Sequence, residues 1–145
     1  MVFNRLGDDG SFWGAIVEKM LAKWWGNYEH TVGGYMDQAV SALNGSPAEW
    51  MNNHQRDWST GEITAKFPDA VWAFINSADQ DHDIITAGSP SCGSNGDQDS
   101  LETGVACSHA YTVIHTCEPE GYKDENNDQL KMVLMRNPWG SEQYN

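Results

Sequence analysis

The sequence is poor in basic residues and contains no long apolar run. Only 8 Lys and Arg stand against 21 Asp and Glu, which gives the 145 residues a formal net charge of −13. A charge of this sign repels phosphate backbones, and nucleic-acid binding is therefore disfavoured. No apolar stretch reaches the roughly 20 residues that a membrane-spanning helix needs. We therefore expect neither nucleic acid nor a membrane among the partners of this chain.

Cysteine is also scarce. Cys92, Cys107 and Cys117 are an odd set without the Cys-x-x-Cys spacing of redox and zinc motifs. The N-terminal residues show no basic and apolar signal region. These features predict that the chain has no disulfide framework and that it resides in a reducing compartment, the cytoplasm.

Apolar residues at helical spacing dominate the first third of the chain. Those between residues 12 and 25 predict an amphipathic helix, and Gly26 suits the left-handed position after its end. A second, short helix is predicted over residues 36–43, and a third begins at Pro68. Residues 1–10 have a linker composition and are predicted to follow a preceding region, so that residues 11–145 form the domain.

The second half of the chain has the pattern of strands separated by polar turns. We predict strands over residues 83–87, 104–117 and 129–136, with the last two forming an antiparallel hairpin. Residues 49–66 show no clear period and are predicted to be irregular, and residues 88–103 form a loop that is placed to cover a cleft. Helices followed by strands predict an α+β fold in which the N-terminal helices pack on an antiparallel sheet.

Two polar residues whose side chains can take part in catalysis lie at the ends of these strands. His109 lies in the segment Ser-His-Ala-Tyr, and Asn137 lies in the segment Arg-Asn-Pro-Trp-Gly. Histidine exchanges protons near neutral pH, and an asparagine on a neighbouring strand can bond one ring nitrogen and leave the other free. The following proline restricts Asn137 to extended backbone, which makes it a rigid mount for such a bond.

A zinc site on the histidine strand is an alternative. On a regular strand Cys107, His109, His115 and Cys117 share one face. His109 and His115 would then be about 20 Å apart, whereas zinc–ligand bonds are about 2.0–2.3 Å long. The spacing excludes a four-ligand zinc site, and a two-ligand site completed from elsewhere stays open. No metal ligand is assigned in this chain.

The motifs around His109 and Asn137 resemble those of the calpain family of cysteine proteases. They match the second, His- and Asn-bearing half of its papain-like core, and Phe12-Trp13 and Leu43-Asn44-Gly45 resemble upstream segments of the same family. The resemblance implies that His109 is the general base and acid of the protease and that Asn137 orients it. It also implies that Trp139 lines the cleft beside them.

The resemblance further implies that the nucleophile is absent from this chain. The family supplies its cysteine, and the glutamine of its oxyanion hole, from a first half that precedes these residues, and none of the three cysteines here has a matching context. The chain is thus expected to be part of a calcium-dependent cysteine endopeptidase that is inactive alone. Its expected partners are the Cys-bearing first half and protein substrates.

Calcium is implied for the parent protein only. In the loop after the Asn motif, residues 141–145, Gln143 and Tyr144 replace the acidic residue and the Trp that follow one another in the family's calcium loop, and the remaining ligands are absent. Residues 124–128 imitate the start of an EF-hand loop but lack its Gly and its terminal Glu, which favours a solvated turn.

A rival interpretation is a non-catalytic calpain-like module, kept for interaction or regulation, whose partner half has lost its cysteine. The residue that separates this from the catalytic interpretation lies outside the chain.

Overall fold

The computed structural model describes residues 7–57, 59–60, 62–65 and 68–139. These residues contain three α-helices and five short strands. In order they are α1 (Trp13–Trp24), α2 (Met36–Asn44), β1 (His54–Arg56), β2 (Ile63–Ala65), α3 (Pro68–Gln80), β3 (Ile85–Gly88), β4 (Ala110–Cys117) and β5 (Met132–Arg136). The helices and the antiparallel sheet confirm the predicted α+β class. None of the described helices has both the length and the hydropathy of a membrane span.

The chain divides into two compact units, Met1–Glu49 and Trp50–Asn145. The first unit contains α1 and α2, close to where the helical spacing predicted them. Each helix is followed by a glycine with left-handed backbone, Gly26 at φ 100° and Gly45 at φ 68°. Glycine takes this conformation without the steric cost of a Cβ, and it therefore ends both helices cleanly. The domain boundary predicted at residue 10 stays a prediction.

The prediction that residues 49–66 are irregular was wrong for six of them. β1 pairs antiparallel with β2, with Gln55 opposite Thr64. The turn between the strands is held by Asp57, whose carboxylate accepts the Ser59 backbone N–H at 2.8 Å and the Ser59 hydroxyl at 2.6 Å. The strand His54–Arg56 is wholly polar, and it therefore carries none of the apolar alternation from which strands are predicted.

The second unit is built on a three-stranded antiparallel sheet in the order β3-β4-β5. The hairpin predicted for the last two strands is confirmed, with Thr112 opposite Arg136. β4 begins only at Ala110, later than predicted, because Ser108 has left-handed backbone at φ 48° and interrupts the extended run. A register shift between Val113 and His115 also breaks the alternation of faces. The single face predicted for residues 107 to 117 therefore does not exist.

Helix α3 is joined to β4 through a buried threonine. Asp79 of α3 accepts hydrogen bonds from the backbone N–H and the hydroxyl of Thr116, both at 2.9 Å. His115 Nδ1 lies 2.9 Å from the same carboxylate oxygen. The Thr116 N–H, then its hydroxyl, lowers the pKa of Asp79, and His115 adds a smaller effect. A hydrogen bond from the Trp72 side chain of α3 to Glu118, at 2.7 Å, is a second link between this helix and the end of β4.

A disulfide joins Cys92 to Cys107, and the expectation that the chain lacks one was wrong. Within the intervening loop, a β-bridge pairs Ser100 with Ala106, and the Cys107 N–H donates to the Asp99 carbonyl at 2.8 Å. These bonds bring two cysteines together that lie 15 residues apart in the sequence. Cys107 is completely buried. The spacing of the cysteines gave no indication of this pairing, because the loop that causes it is a tertiary feature.

We expect Asp79→Asn to reduce the stability of the protein at neutral pH more than at acid pH. The folded-state pKa of Asp79 lies below its unfolded value, so its contribution is present above about pH 4 and is lost as the pH falls through the folded value. The free energy of unfolding is measured with urea at pH 7 and at pH 3. Its difference between the two pH values should be smaller in the variant than in the unaltered chain. Asp83→Asn, which removes an exposed charge just after the same helix, controls for net charge. A difference equal to that of the unaltered chain would contradict the assignment.

We expect loss of the disulfide to lower the free energy of unfolding by about 3 kcal/mol, the chain-entropy value for a loop of about 15 residues. Cys92→Ala tests this, because Cys92 is the less buried partner. Thermal unfolding of the variant with and without reductant should give the same low melting temperature, whereas the unaltered chain should respond to reductant. Cys117→Ala, at an exposed free thiol, is the control and should respond like the unaltered chain.

Candidate active site

The hairpin of β4 and β5 brings His109 and Asn137 together. His109 immediately precedes β4 and Asn137 immediately follows β5. Because the strands are antiparallel and Thr112 lies opposite Arg136, the end of β5 meets the start of β4. His109 Nε2 lies 3.0 Å from Asn137 Oδ1 although the residues are 28 positions apart. The two residues singled out from the sequence are therefore hydrogen-bonded neighbours.

A backbone hydrogen bond determines which atom of the Asn137 amide faces the histidine. The Trp139 N–H points at Asn137 Oδ1 from 3.0 Å. A backbone N–H can only donate, so the atom that it meets must be the amide oxygen. Pro138 has no N–H, which makes the Trp139 N–H the first donor after Asn137 that can close this turn. Asn137 is thus held by its own turn with its oxygen towards His109.

The orientation of Asn137 fixes the proton on the His109 ring. Because Asn137 Oδ1 is an acceptor, Nε2 of His109 must carry the hydrogen that lies between them. In the neutral ring Nδ1 then carries the lone pair. The arrangement leaves Nδ1 as the nitrogen that can take a proton from an incoming group.

Aromatic side chains enclose the histidine ring. The Trp139 ring lies 4.3 Å from it between centroids, tilted by 48°, and the Tyr111 ring meets it edge-on at 5.0 Å. The His109 side chain is only 9% exposed. These contacts restrict rotation of the ring about its side-chain bonds, and Trp139 lies beside the histidine. That Trp139 lines a substrate cleft stays a prediction.

An acidic residue that the sequence did not single out lies next to the free ring nitrogen. Asp97 Oδ2 is 3.9 Å from His109 Nδ1, too far for a hydrogen bond. The pair is ionic only when the histidine is protonated. Asp97 belongs to a single 3₁₀ turn, Gly96–Gln98. This turn lies inside the disulfide loop, the segment between Cys92 and Cys107. Nothing in the sequence indicated this proximity, because the loop is irregular and the approach depends on its tertiary path.

The disulfide loop and the Asn turn enclose a cavity of about 350 Å³ beside this pair. Asn137 and Trp139 form one wall, and the loop, including Asp97, Asp99 and Glu102, forms the other. The Asn95 side chain, and then the Asn95 backbone N–H, lower the pKa of Asp99. The loop that was predicted to cover a cleft therefore lines one, and the wall that it contributes is acidic.

No thiol in the described part of the chain is placed to act on His109. Cys92 and Cys107 are joined to each other, and Cys117 lies at the far end of β4, an eight-residue strand. At about 3.3 Å per residue Cys117 is about 26 Å from the histidine. The disulfide also removes Cys107 as a zinc ligand, since metals bind the thiolate. Within the same residues, no group of three or more His, Cys, Asp or Glu is arranged to hold a metal ion.

The geometry can be compared with known proteins. A sequence model described as calpain family cysteine protease matches residues 1–145. The chain belongs to the calpain family of cysteine proteases. The family predicted from the motifs around His109 and Asn137 is thereby confirmed.

Individual relatives show how much of a calpain the chain represents. It is 26% identical over 161 residues to Calpain-5 of Caenorhabditis elegans, covering 100% of the chain and 24% of that protein. It is 26% identical over 142 residues to Calpain-A of Drosophila melanogaster, covering 98% of the chain and 16% of the relative. It is 30% identical over 134 residues to the calpain-type cysteine protease DEK1 of Zea mays, covering 90% and 5%. The chain therefore spans less than a quarter of each of these relatives.

We expect that, in this calpain-family chain, Asn137→Ala allows His109 to populate both neutral tautomers. Without the amide oxygen, Nε2 loses its acceptor and either ring nitrogen can carry the proton. Nitrogen chemical shifts of the imidazole, measured by NMR above the pH at which the ring is charged, should change from the Nε2–H pattern to a mixture. Asn52→Ala, at an exposed position in the same unit, should leave the pattern unchanged. An unchanged pattern in Asn137→Ala would show that another contact fixes the ring.

Proposed function

We propose that this chain supplies the histidine and asparagine of a papain-like cysteine endopeptidase site. The observation that supports the proposal is the hydrogen bond from His109 Nε2 to Asn137 Oδ1, which leaves Nδ1 as the proton acceptor. Membership of the calpain family supports the same reaction class. In this proposal His109 is the general base and acid, Asn137 orients it and Trp139 lines the cleft.

The proposed chemistry divides the work between two halves of a protease. A cysteine thiol from the other half gives its proton to His109 Nδ1, and the thiolate attacks the carbonyl carbon of a peptide bond. The imidazolium then returns a proton to the leaving amine, and the acyl-enzyme remains. Water, deprotonated by His109 in the same way, hydrolyses the thioester and frees the cysteine. The Asn137 bond keeps Nδ1 directed at the reacting atoms through both steps.

The same proposal makes the isolated chain inactive. The described residues place no thiol near His109, so the nucleophile must come from a Cys-bearing first half. That half and protein substrates are the partners that we propose. Protein substrates are in keeping with the family, and an acidic cavity lies beside Asn137.

Calcium dependence belongs to the parent protein in this proposal. Among the described residues, no group of three or more His, Cys, Asp or Glu is arranged to hold a metal ion. Asp124, which begins the segment that resembles an EF-hand loop, instead accepts the N–H groups of Asn126 and Asp128, both at 2.9 Å. The loop at residues 141–145 lies outside the described residues. We derive no catalytic step through calcium.

The cytoplasmic location stays a proposal, and the disulfide bears on it. Structural disulfides persist mainly in oxidising compartments and are rare in the cytoplasm. The oxidation state of Cys92 and Cys107 in cells, measured by thiol labelling under denaturing conditions, would decide between an oxidising compartment and the cytoplasm. Complete labelling of both thiols would favour the cytoplasm.

The decisive test of the proposed function is peptide cleavage by this chain combined with a Cys-bearing first half of a calpain, with and without calcium. We expect activity that His109→Ala lowers at least about 100-fold, the usual contribution of a positioned acid–base group. His82→Asn is a matched control, since it removes an exposed imidazole at a left-handed position, φ 60°, which asparagine tolerates.

Two outcomes would contradict the proposal. Activity that survives His109→Ala would remove the histidine from the mechanism. A folded, correctly paired combination without activity under any condition would favour the non-catalytic module.

A further inference from the structure

The backbone of His109 is held by the side chain of Ser89, the residue that follows β3. The His109 N–H donates to Ser89 Oγ at 2.9 Å. The Ser89 N–H donates to the His109 carbonyl at 2.9 Å. Both polar groups of the His109 backbone are therefore bonded to one residue, which lies 20 positions away in the sequence.

The Ser89 hydroxyl also reaches the disulfide loop. Its oxygen lies 2.6 Å from the Ala106 carbonyl and 3.2 Å from the His109 carbonyl. A hydroxyl has one proton, and the shorter contact is the better acceptor for it. The bonds then form a chain from the His109 N–H through the hydroxyl to Ala106, in which each bond polarises the next. Ala106 is buried, and its N–H in turn donates to the Tyr111 hydroxyl at 3.0 Å.

The left-handed backbone of Ser108 explains why a side chain is needed here. At φ 48° Ser108 turns the chain just before His109, and the regular pairing of β3 with β4 stops at Gly88 and Ala110. The His109 N–H is therefore left without a strand partner of the usual kind. A half-buried N–H without an acceptor is costly, and the Ser89 hydroxyl supplies one at the position where the catalytic ring is mounted.

We infer that Ser89 is a positioning residue for His109, which acts through the His109 backbone and contacts no substrate. The inference rests on the proposed function of His109. The hydroxyl fixes the Cα position of the histidine, and the Asn137 bond fixes its ring. Loss of the hydroxyl displaces Nδ1 from the nucleophile while substrate contacts elsewhere persist. Such a residue changes kcat and leaves KM nearly constant.

The first arm of the test is NMR on this chain and needs no activity. In the unaltered chain the His109 amide should exchange slowly with deuterium although it precedes β4, and the ring Nε2–H signal should be visible. Ser89→Ala and Ser89→Val should speed exchange of the His109 amide about tenfold or more and broaden the ring signal, with β4 amides unchanged. Ser89→Thr, which differs from the valine variant by its hydroxyl, should restore both. Ser77→Ala, at an exposed position of α3, is the control.

The second arm is the cleavage assay with the Cys-bearing half. Ser89→Ala should lower kcat about tenfold with KM within about twofold, and Ser89→Thr should recover most of the loss. If His109→Ala has no effect in the same assay, the proposed function fails, while the NMR arm still reports on the mount of His109.

Three results would overturn the inference. One is fast exchange of the His109 amide in the unaltered chain, a measurement that stands even if Ser89→Ala does not fold. Another is equal behaviour of the threonine and valine variants, which would show that the hydroxyl is not used. The third is faster exchange throughout β4, or a fall in kcat matched by a rise in KM, which would indicate a general structural role.

Discussion

The antiparallel register of β4 and β5 is the constraint on which the site depends. It places the residue after β5 next to the residue before β4, and the His109–Asn137 bond of 3.0 Å follows from that pairing. A slip of one residue would turn the side chains at these strand ends to the opposite face of the sheet. Helix α3 supports the sheet from one side, because Asp79 binds both the backbone and the side chain of Thr116 near the end of the central strand.

The proton position on His109 is decided by two successive hydrogen bonds. The Trp139 N–H orients the Asn137 amide, and the amide oxygen then requires hydrogen on Nε2. Pro138 takes part by lacking an N–H, which leaves Trp139 as the first donor available to that turn. A motif of three residues thus forms a turn, fixes the tautomer of His109 and supplies an aromatic wall for its ring. This economy gives a physical reason for the order Asn-Pro-Trp.

The loop closed by Cys92 and Cys107 contributes acidic groups to the surroundings of His109. It brings Asp97 to 3.9 Å from the free ring nitrogen and lines the adjacent cavity with further carboxylates. It also returns the chain to Ser108, whose left-handed backbone leaves the His109 N–H to Ser89. In the proposed function the chain carries the acid–base half of a protease site, and the nucleophile comes from another segment. The approach of any thiolate to Nδ1 must accommodate Asp97.

The sequence by itself determined the family, the α+β class and the helices, and it singled out His109 and Asn137, whose catalytic roles stay predictions. Those features depend on local periodicity and on short motifs, which can be recognised in the sequence without knowledge of tertiary contacts. Only the tertiary structure decided the polar hairpin of β1 and β2, the shift of register in β4, the disulfide, and the places of Asp97 and Ser89. The β1–β2 hairpin is local and was missed because β1 is wholly polar. The other features depend on contacts between distant residues through an irregular loop or a bulge. Such contacts have no period in the sequence, because they are set by the path of the folded chain.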